Sequence, residues 1–177
     1  RQSSRIHSRR FAKIGGFFMT LALGIDPGTA TTGYGLVRLE SDGRLVAVKY
    51  GVILTPKEES PAARLEMFYR DLRALLKKFH PDTAAVEKLF FQRNISTAIL
   101  VGQARGVALL ALQQAGVEIF EYTPNEVKQA VAGYGSADKK QVQDMVRVLL
   151  GLTEIPKPDD AADALAIAIT HLNTKRY

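Results

Sequence analysis

The 177-residue chain has no cysteine, and its only histidines, His7, His80 and His171, lie far apart in sequence. Disulfides, thiolate nucleophiles and cysteine-built zinc sites are excluded, and the spacing speaks against a histidine-rich metal site. Any metal chemistry must then use oxygen ligands, which favour magnesium, manganese or calcium. No apolar run reaches the roughly 18 residues needed to span a bilayer. The longest runs are broken by Gly102, Gln103 and Arg105, or by Asp160 and Asp163. Acids are missing from residues 1–18, which carry Arg1, Arg5, Arg9, Arg10 and Lys13. That segment supplies +5 of the net +6, and the remainder, with 19 basic and 18 acidic residues, is nearly neutral. Bulk charge is therefore a weak argument for a polyanion partner.

The 46% hydrophobic and 24% charged content is ordinary for a globular domain, and the length suits one domain with a real core. The Arg- and Ser-rich opening has the composition of an organellar transit segment or of an extension ahead of a start at Met19. The expectation is a disordered extension over residues 1–18 and a single domain over 19–174.

Periodicity predicts strands over Thr20–Asp26, Gly33–Leu39 and Leu45–Thr55, the last two joined by the turn Ser41-Asp42-Gly43. Apolar residues at Leu65, Phe68, Tyr69, Leu72, Leu75, Leu76 and Phe79 predict an amphipathic helix over Pro61–Phe79. A strand over Thr83–Glu87, a helix over Ser96–Ala115 and a strand over Val117–Tyr122 follow. Helices then run over Pro124–Ala132, over Ser136–Leu150 with Ser136 as N-cap, and over Asp159–Leu172 with Asp159 as cap. The order βββαβαβααα implies an α/β domain, a mixed sheet with helices on both faces.

Four carboxylates stand in apolar or small-residue surroundings: Asp26, Glu87, Asp160 and Asp163. Each placement is costly unless the charge is paired or binds a cation. Asp26 and Glu87 close strands, where open α/β sheets bind ligands. Asp160 and Asp163 are three apart and share a face of the last helix. Ala161, Ala162, Ala164, Ala166 and Ala168 are small enough to bring that helix close to the sheet. Four crowded carboxylates repel and raise one another's pKa, a conflict that divalent cations remove. Two ions about 4 Å apart activate a water and stabilise a leaving oxygen, the requirements of phosphodiester hydrolysis. Taken singly, Asp26 also fits a turn, Glu87 a strand-end surface acid, and the Asp159–Asp163 group a set of helix-dipole partners.

Together these segments resemble a known family. Gly24-Ile25-Asp26-Pro27-Gly28-Thr29 and Thr32-Gly33-Tyr34-Gly35 are similar to the opening of RuvC-type Holliday junction resolvases. Glu87-Lys88-Leu89-Phe90 with Asn94, Gly102-Gln103-Ala104-Arg105-Gly106-Val107 and Gly135-Ser136-Ala137-Asp138-Lys139 continue the match. Asp160-Ala161-Ala162-Asp163-Ala164-Leu165-Ala166 closes it, so the resemblance covers about residues 20–172.

The resemblance implies an RNase H-like fold, a homodimer and paired, symmetric nicking of four-way junction DNA in recombination and repair. It implies two Mg2+ or Mn2+ ions held by Asp26, Glu87, Asp160 and Asp163, with Lys139 assisting catalysis. Lys128 and Lys139 match lysines that face DNA phosphates. Phe90 matches an aromatic that stacks at the junction, where each stacked base is worth roughly 1–3 kcal/mol. Phe91, Gln92, Arg93 and Asn94 extend the same contact. RuvA and RuvB are the partners implied, in the cytoplasm. The predicted helix over 96–115 is apolar nearly all round, as a helix covered by both the sheet and a twin subunit would be.

Three rivals remain open. The Asp26-Pro27-Gly28-Thr29 segment also resembles the first phosphate loop of actin-like and sugar-kinase ATPases, which need two such domains. The same fold could act on RNA–DNA hybrids or flaps. A non-catalytic junction-binding scaffold would have no reason to keep all four acids.

Overall fold

The computed structural model describes residues 13–14, 17–88 and 95–175. Strands β1 (Lys13–Ile14) and β2 (Phe17–Phe18), two residues each, pair antiparallel within residues 1–18, the segment expected to be disordered. The domain proper is built from β3 (Thr20–Asp26), β4 (Thr31–Leu39), β5 (Leu45–Leu54), α1 (Pro61–Phe79), β6 (Thr83–Glu87), α2 (Ile95–Gln114), β7 (Glu118–Tyr122), α3 (Pro124–Ala132), α4 (Lys139–Leu149) and α5 (Asp159–Thr174). The expected order and the mixed sheet are both observed. The five-stranded sheet runs β5-β4-β3-β6-β7, with β3, β4 and β5 antiparallel and β3, β6 and β7 parallel.

Side-chain alternation along β3 sorts the core into two layers. Leu23 and Ile25 face α1 and α2, packing with Phe68, Leu72, Leu76, Ala108 and Leu112. Ala22 faces α3, α4 and α5, packing with Val127, Val146, Leu165 and Ile169. α5 is buried at every position from Ala161 to Leu172 except Asp163. Three glycines let it come so near. A Cβ on Gly24 would lie 2.0 Å from the Ala164 carbonyl oxygen, and one on Gly33 1.9 Å from that of Asp160. On Gly35 it would meet the Leu165 amide nitrogen at 2.8 Å. Gly24 pairs with Gly35 across the ladder and Gly33 with Asp26, so the bare strip ends beside Asp26.

Two helix starts differ from expectation. α4 begins at Lys139, not Ser136, because Asp138 makes the reciprocal cap: it accepts from the Gln141 amide at 2.9 Å, and Gln141 accepts from the Asp138 amide at 2.9 Å. Ser136 has Lys139 three residues on, which cannot return that bond. α5 is preceded by Pro158, with no side-chain cap, and Asp159 binds Lys139 instead of capping. Gly133, at φ +87°, ends α3 in the left-handed conformation expected of it.

His171, with no exposed surface, is held deep in α5. It lies 3.0 Å from both the Tyr122 hydroxyl and the Thr83 hydroxyl, and stacks on Phe120. Burial pushes its pKa down to about 4, which keeps the ring neutral, and Tyr122 and Thr83 occupy both of its nitrogens.

Candidate active site

Local sequence sets each acid where the fold needs it. β3 stops at Asp26 because Pro27 has no amide hydrogen to continue the ladder. β6 carries Glu87 as its last residue. The N-terminal part of α5 supplies Asp160 and Asp163, and the first residue of α4 is Lys139. Asp26, Glu87, Asp163, Lys128 and Lys139 line one cleft of about 240 Å³, with Pro124, Val127 and Val142 as its apolar wall. Asp160 stands outside that lining, behind Gly33, but its charge still acts on Asp26.

The electrostatics show a crowded anionic site. Burial first, then the charges of Glu87, Asp163 and Asp160, push Asp26 up to about 7. Burial and Asp163 raise Glu87. Burial raises Asp163 as well, against the pull of Lys139. The Lys139 ammonium reaches Asp163 at 3.0 Å and Asp159 at 3.2 Å. It therefore neutralises one wall of the cleft and holds α4 against α5.

Among the described residues, no three His, Asp or Glu side chains are gathered closely enough to share one ion. The donor chemistry nonetheless fits a hard divalent cation: the carboxylates are oxygen ligands only, and His171 is turned away. Carboxylates that are hard to ionise in this setting are stabilised by an added positive charge.

Phe90, Phe91, Gln92, Arg93 and Asn94 lie outside the described residues. Lys128 is half-buried on α3 and reaches the cleft. α2 buries Ala104, Ala108, Ala111 and Leu112 on the sheet but leaves Ile99, Leu100 and Leu110 at 55%, 39% and 52% exposure.

Sequence reasoning gave no role to Arg105, which forms an ion pair with Glu121 and donates from Nε to the Glu87 carbonyl at 3.3 Å. The signal was present as a lone cation in an otherwise apolar helix, opposite an acid in the next strand. The pairing of Asp159 with Lys139 was also missed. It depends on how α4 meets α5, which spacing along the chain does not encode.

Residues 22–171 match a family model described as crossover junction endodeoxyribonuclease RuvC. A protein of that name from Chloroflexus aggregans is 60% identical over 153 residues, covering 86% of this chain and 93% of its own. One from Syntrophomonas wolfei is 57% identical over 154 residues, covering 87% and 89%. Among solved structures, Thermus thermophilus RuvC in complex with Holliday junction substrate aligns with a TM-score of 0.81 and 40% identity, over 86% of this chain and 92% of that one. The α/β architecture is accordingly RNase H-like.

Proposed function

We propose a Holliday junction resolvase, because this chain belongs to the crossover junction endodeoxyribonuclease RuvC family. Its reaction is endonucleolytic hydrolysis of DNA strands at a four-way junction. The observation that best supports this activity in this molecule is the convergence of Asp26, Glu87, Asp163, Lys128 and Lys139 on one cleft.

Asp26, Glu87, Asp160 and Asp163 would hold two Mg2+ or Mn2+ ions. Bound there, the ions would supply Lewis-acid stabilisation of the phosphate and a water of lowered pKa. The chain's own groups do the rest. The ordered strand ends and the helix start fix the carboxylates before substrate arrives, so little reorganisation is left for the reaction. Lys139 lines the cleft beside Asp163, 54% exposed, where its charge can offset the negative charge developing on a phosphate. Lys128 supplies a second cation on the adjoining wall and takes a neighbouring backbone phosphate. Phe90, Phe91 and Arg93 belong to the same proposal as junction contacts, carried by the family resemblance.

A homodimer is the proposed assembly, supported by the exposed apolar residues of α2, which the sheet leaves uncovered. A two-fold dimer carries two active sites and suits two symmetric cuts. RuvA and RuvB as branch-migration partners, and a cytoplasmic setting, rest on family membership. No helix among the described residues is long and apolar enough to cross a membrane.

The direct test compares a synthetic four-way DNA junction, a linear duplex of the same sequence and an RNA–DNA hybrid, each with Mg2+. Paired nicks confined to the junction are expected; equal cutting of the duplex or hybrid would replace the resolvase reading with a general nuclease. Within that assay, Lys139→Ala should slow single-turnover cleavage by about 10²-fold while weakening junction affinity only a few-fold. A loss confined to affinity would make Lys139 a phosphate anchor and nothing more.

A further inference from the structure

We propose that Arg105 is a positioning residue that fixes the catalytic Glu87 from the opposite face of the sheet, an inference that rests on the nuclease reading of the acid cluster. Strand alternation shows why such a residue is needed. The Lys88 amide donates to the Tyr122 carbonyl at 2.8 Å, so Lys88 serves the β7 side of β6. In a parallel ladder the main-chain groups of successive residues face opposite neighbours, and those of Glu87 therefore face β3. The register places Val86 opposite Ile25, which puts Glu87 opposite Asp26. The donor due to the Glu87 carbonyl is then the amide of residue 27. That residue is Pro27, which has none. The turn that places Asp26 thus deprives the neighbouring strand of a hydrogen bond at a residue whose side chain must be held still.

Arg105 supplies the missing donor. Its Nε donates to the Glu87 carbonyl, while its other arm pairs with Glu121 on β7. Its side chain is 22% exposed and that of Glu121 34%, and one Glu121 carboxylate oxygen is fully buried, so the pair is partly screened from water. Ile119 of β7 packs with α1 and α2, whereas Phe120 and Tyr122 pack with α5. Glu121 therefore lies on the α2 face by alternation, and Glu87 presents its carboxylate on the other face, where Ala85 meets α5. One guanidinium thus ties α2, β6 and β7 together behind the acid cluster, and its fork geometry allows two partners at once. The ammonium of a lysine would keep the charge opposite Glu121 but could not repeat the fork.

The test uses full-length wild-type protein, Arg105→Lys and the paired variant Arg105→Met with Glu121→Met. The pair leaves no lone buried carboxylate and so keeps the fold testable should the lysine variant unfold. Four quantities are read: melting temperature, junction affinity in chelator, single-turnover cleavage rate, and Mn2+ affinity of the DNA-free protein by calorimetry. Both variants should cut about 10–100-fold more slowly and bind Mn2+ more weakly, with junction affinity changed less than about twofold. A folded paired variant with wild-type rate and wild-type Mn2+ affinity would overturn the proposal. So would a slowing of Arg105→Lys accounted for wholly by lost junction affinity. If wild type itself fails to cut the junction, the resolvase reading falls, while the Mn2+ affinities still decide whether Arg105 positions Glu87.

Discussion

Asp26→Asn should abolish junction cutting, by at least about 10²–10³-fold, while junction binding is kept or strengthened. The carboxylate is the hub of the cluster: Glu87, Asp163 and Asp160 all act on it, and burial adds to their effect. Asparagine keeps the shape, removes the charge proposed to hold metal and lessens repulsion of the phosphate backbone. The same substitution has a pH signature in metal-free protein. Asp26 titrates near 7 in the folded chain against an ordinary 3.8. Between those values the folded state holds a proton that the unfolded state has released. Its contribution to stability is thus full below about pH 3.8 and is lost as pH rises through about 7. In chelator at pH 8, Asp26→Asn should therefore be more stable than wild type by up to a few kcal/mol, and the gain should vanish at pH 4. Glu87 and Asp163 are raised too, so the acids titrate as a coupled group and the transition will be broad. Thermal melts at the two pH values, with and without Mg2+, check this. Normal cutting by the variant would remove Asp26 from the chemistry.

Gly24→Ala should be among the most damaging single-methyl changes in the molecule. An alanine commonly stabilises a protein by about 0.4–1 kcal/mol through the unfolded state when the native backbone tolerates it. Here the added carbon would lie 2.0 Å from the Ala164 carbonyl oxygen and 2.7 Å from the Ala168 amide nitrogen. Both are helix backbone and cannot swing aside. The clash outweighs the entropy gain, and α5 must lift from the sheet at a cost of about 3 kcal/mol or more. Since α5 carries Asp160 and Asp163, cleavage should fall with stability, and should stay low at temperatures where the variant is still folded. Denaturant unfolding and cleavage assayed well below the midpoint separate the two effects. A stable, fully active Gly24→Ala would mean that α5 does not sit on the Gly24–Gly35 strip.

Much of this was legible in the chain. Helix α1 runs from Pro61 to Phe79 as its spacing requires, because Ser60 accepts from the Ala63 amide and Pro61 opens the first turn. The acid pattern was readable because carboxylates in apolar segments demand a partner. The alanines of α5 pointed to close packing, and the glycines opposite complete the fit. What escaped was long-range and polar. Asp138 outcompeted Ser136 as a cap because Gln141 answers it. His171 stands in the sequence only as one of three scattered histidines, and the fold places it between Tyr122 and Thr83. Arg105 became intelligible only when the sheet register put Pro27 where the donor to the Glu87 carbonyl belongs.

The most direct measurement is the single-turnover rate of junction cleavage as free Mg2+ or Mn2+ is raised from zero in a chelator-buffered series. If Asp26, Glu87, Asp160 and Asp163 hold two ions for hydrolysis, the rate should start at zero and climb more steeply than the first power of metal concentration, with nicks appearing on the junction alone. Cutting at an undiminished rate in chelator would contradict the cluster's assignment as a metal site.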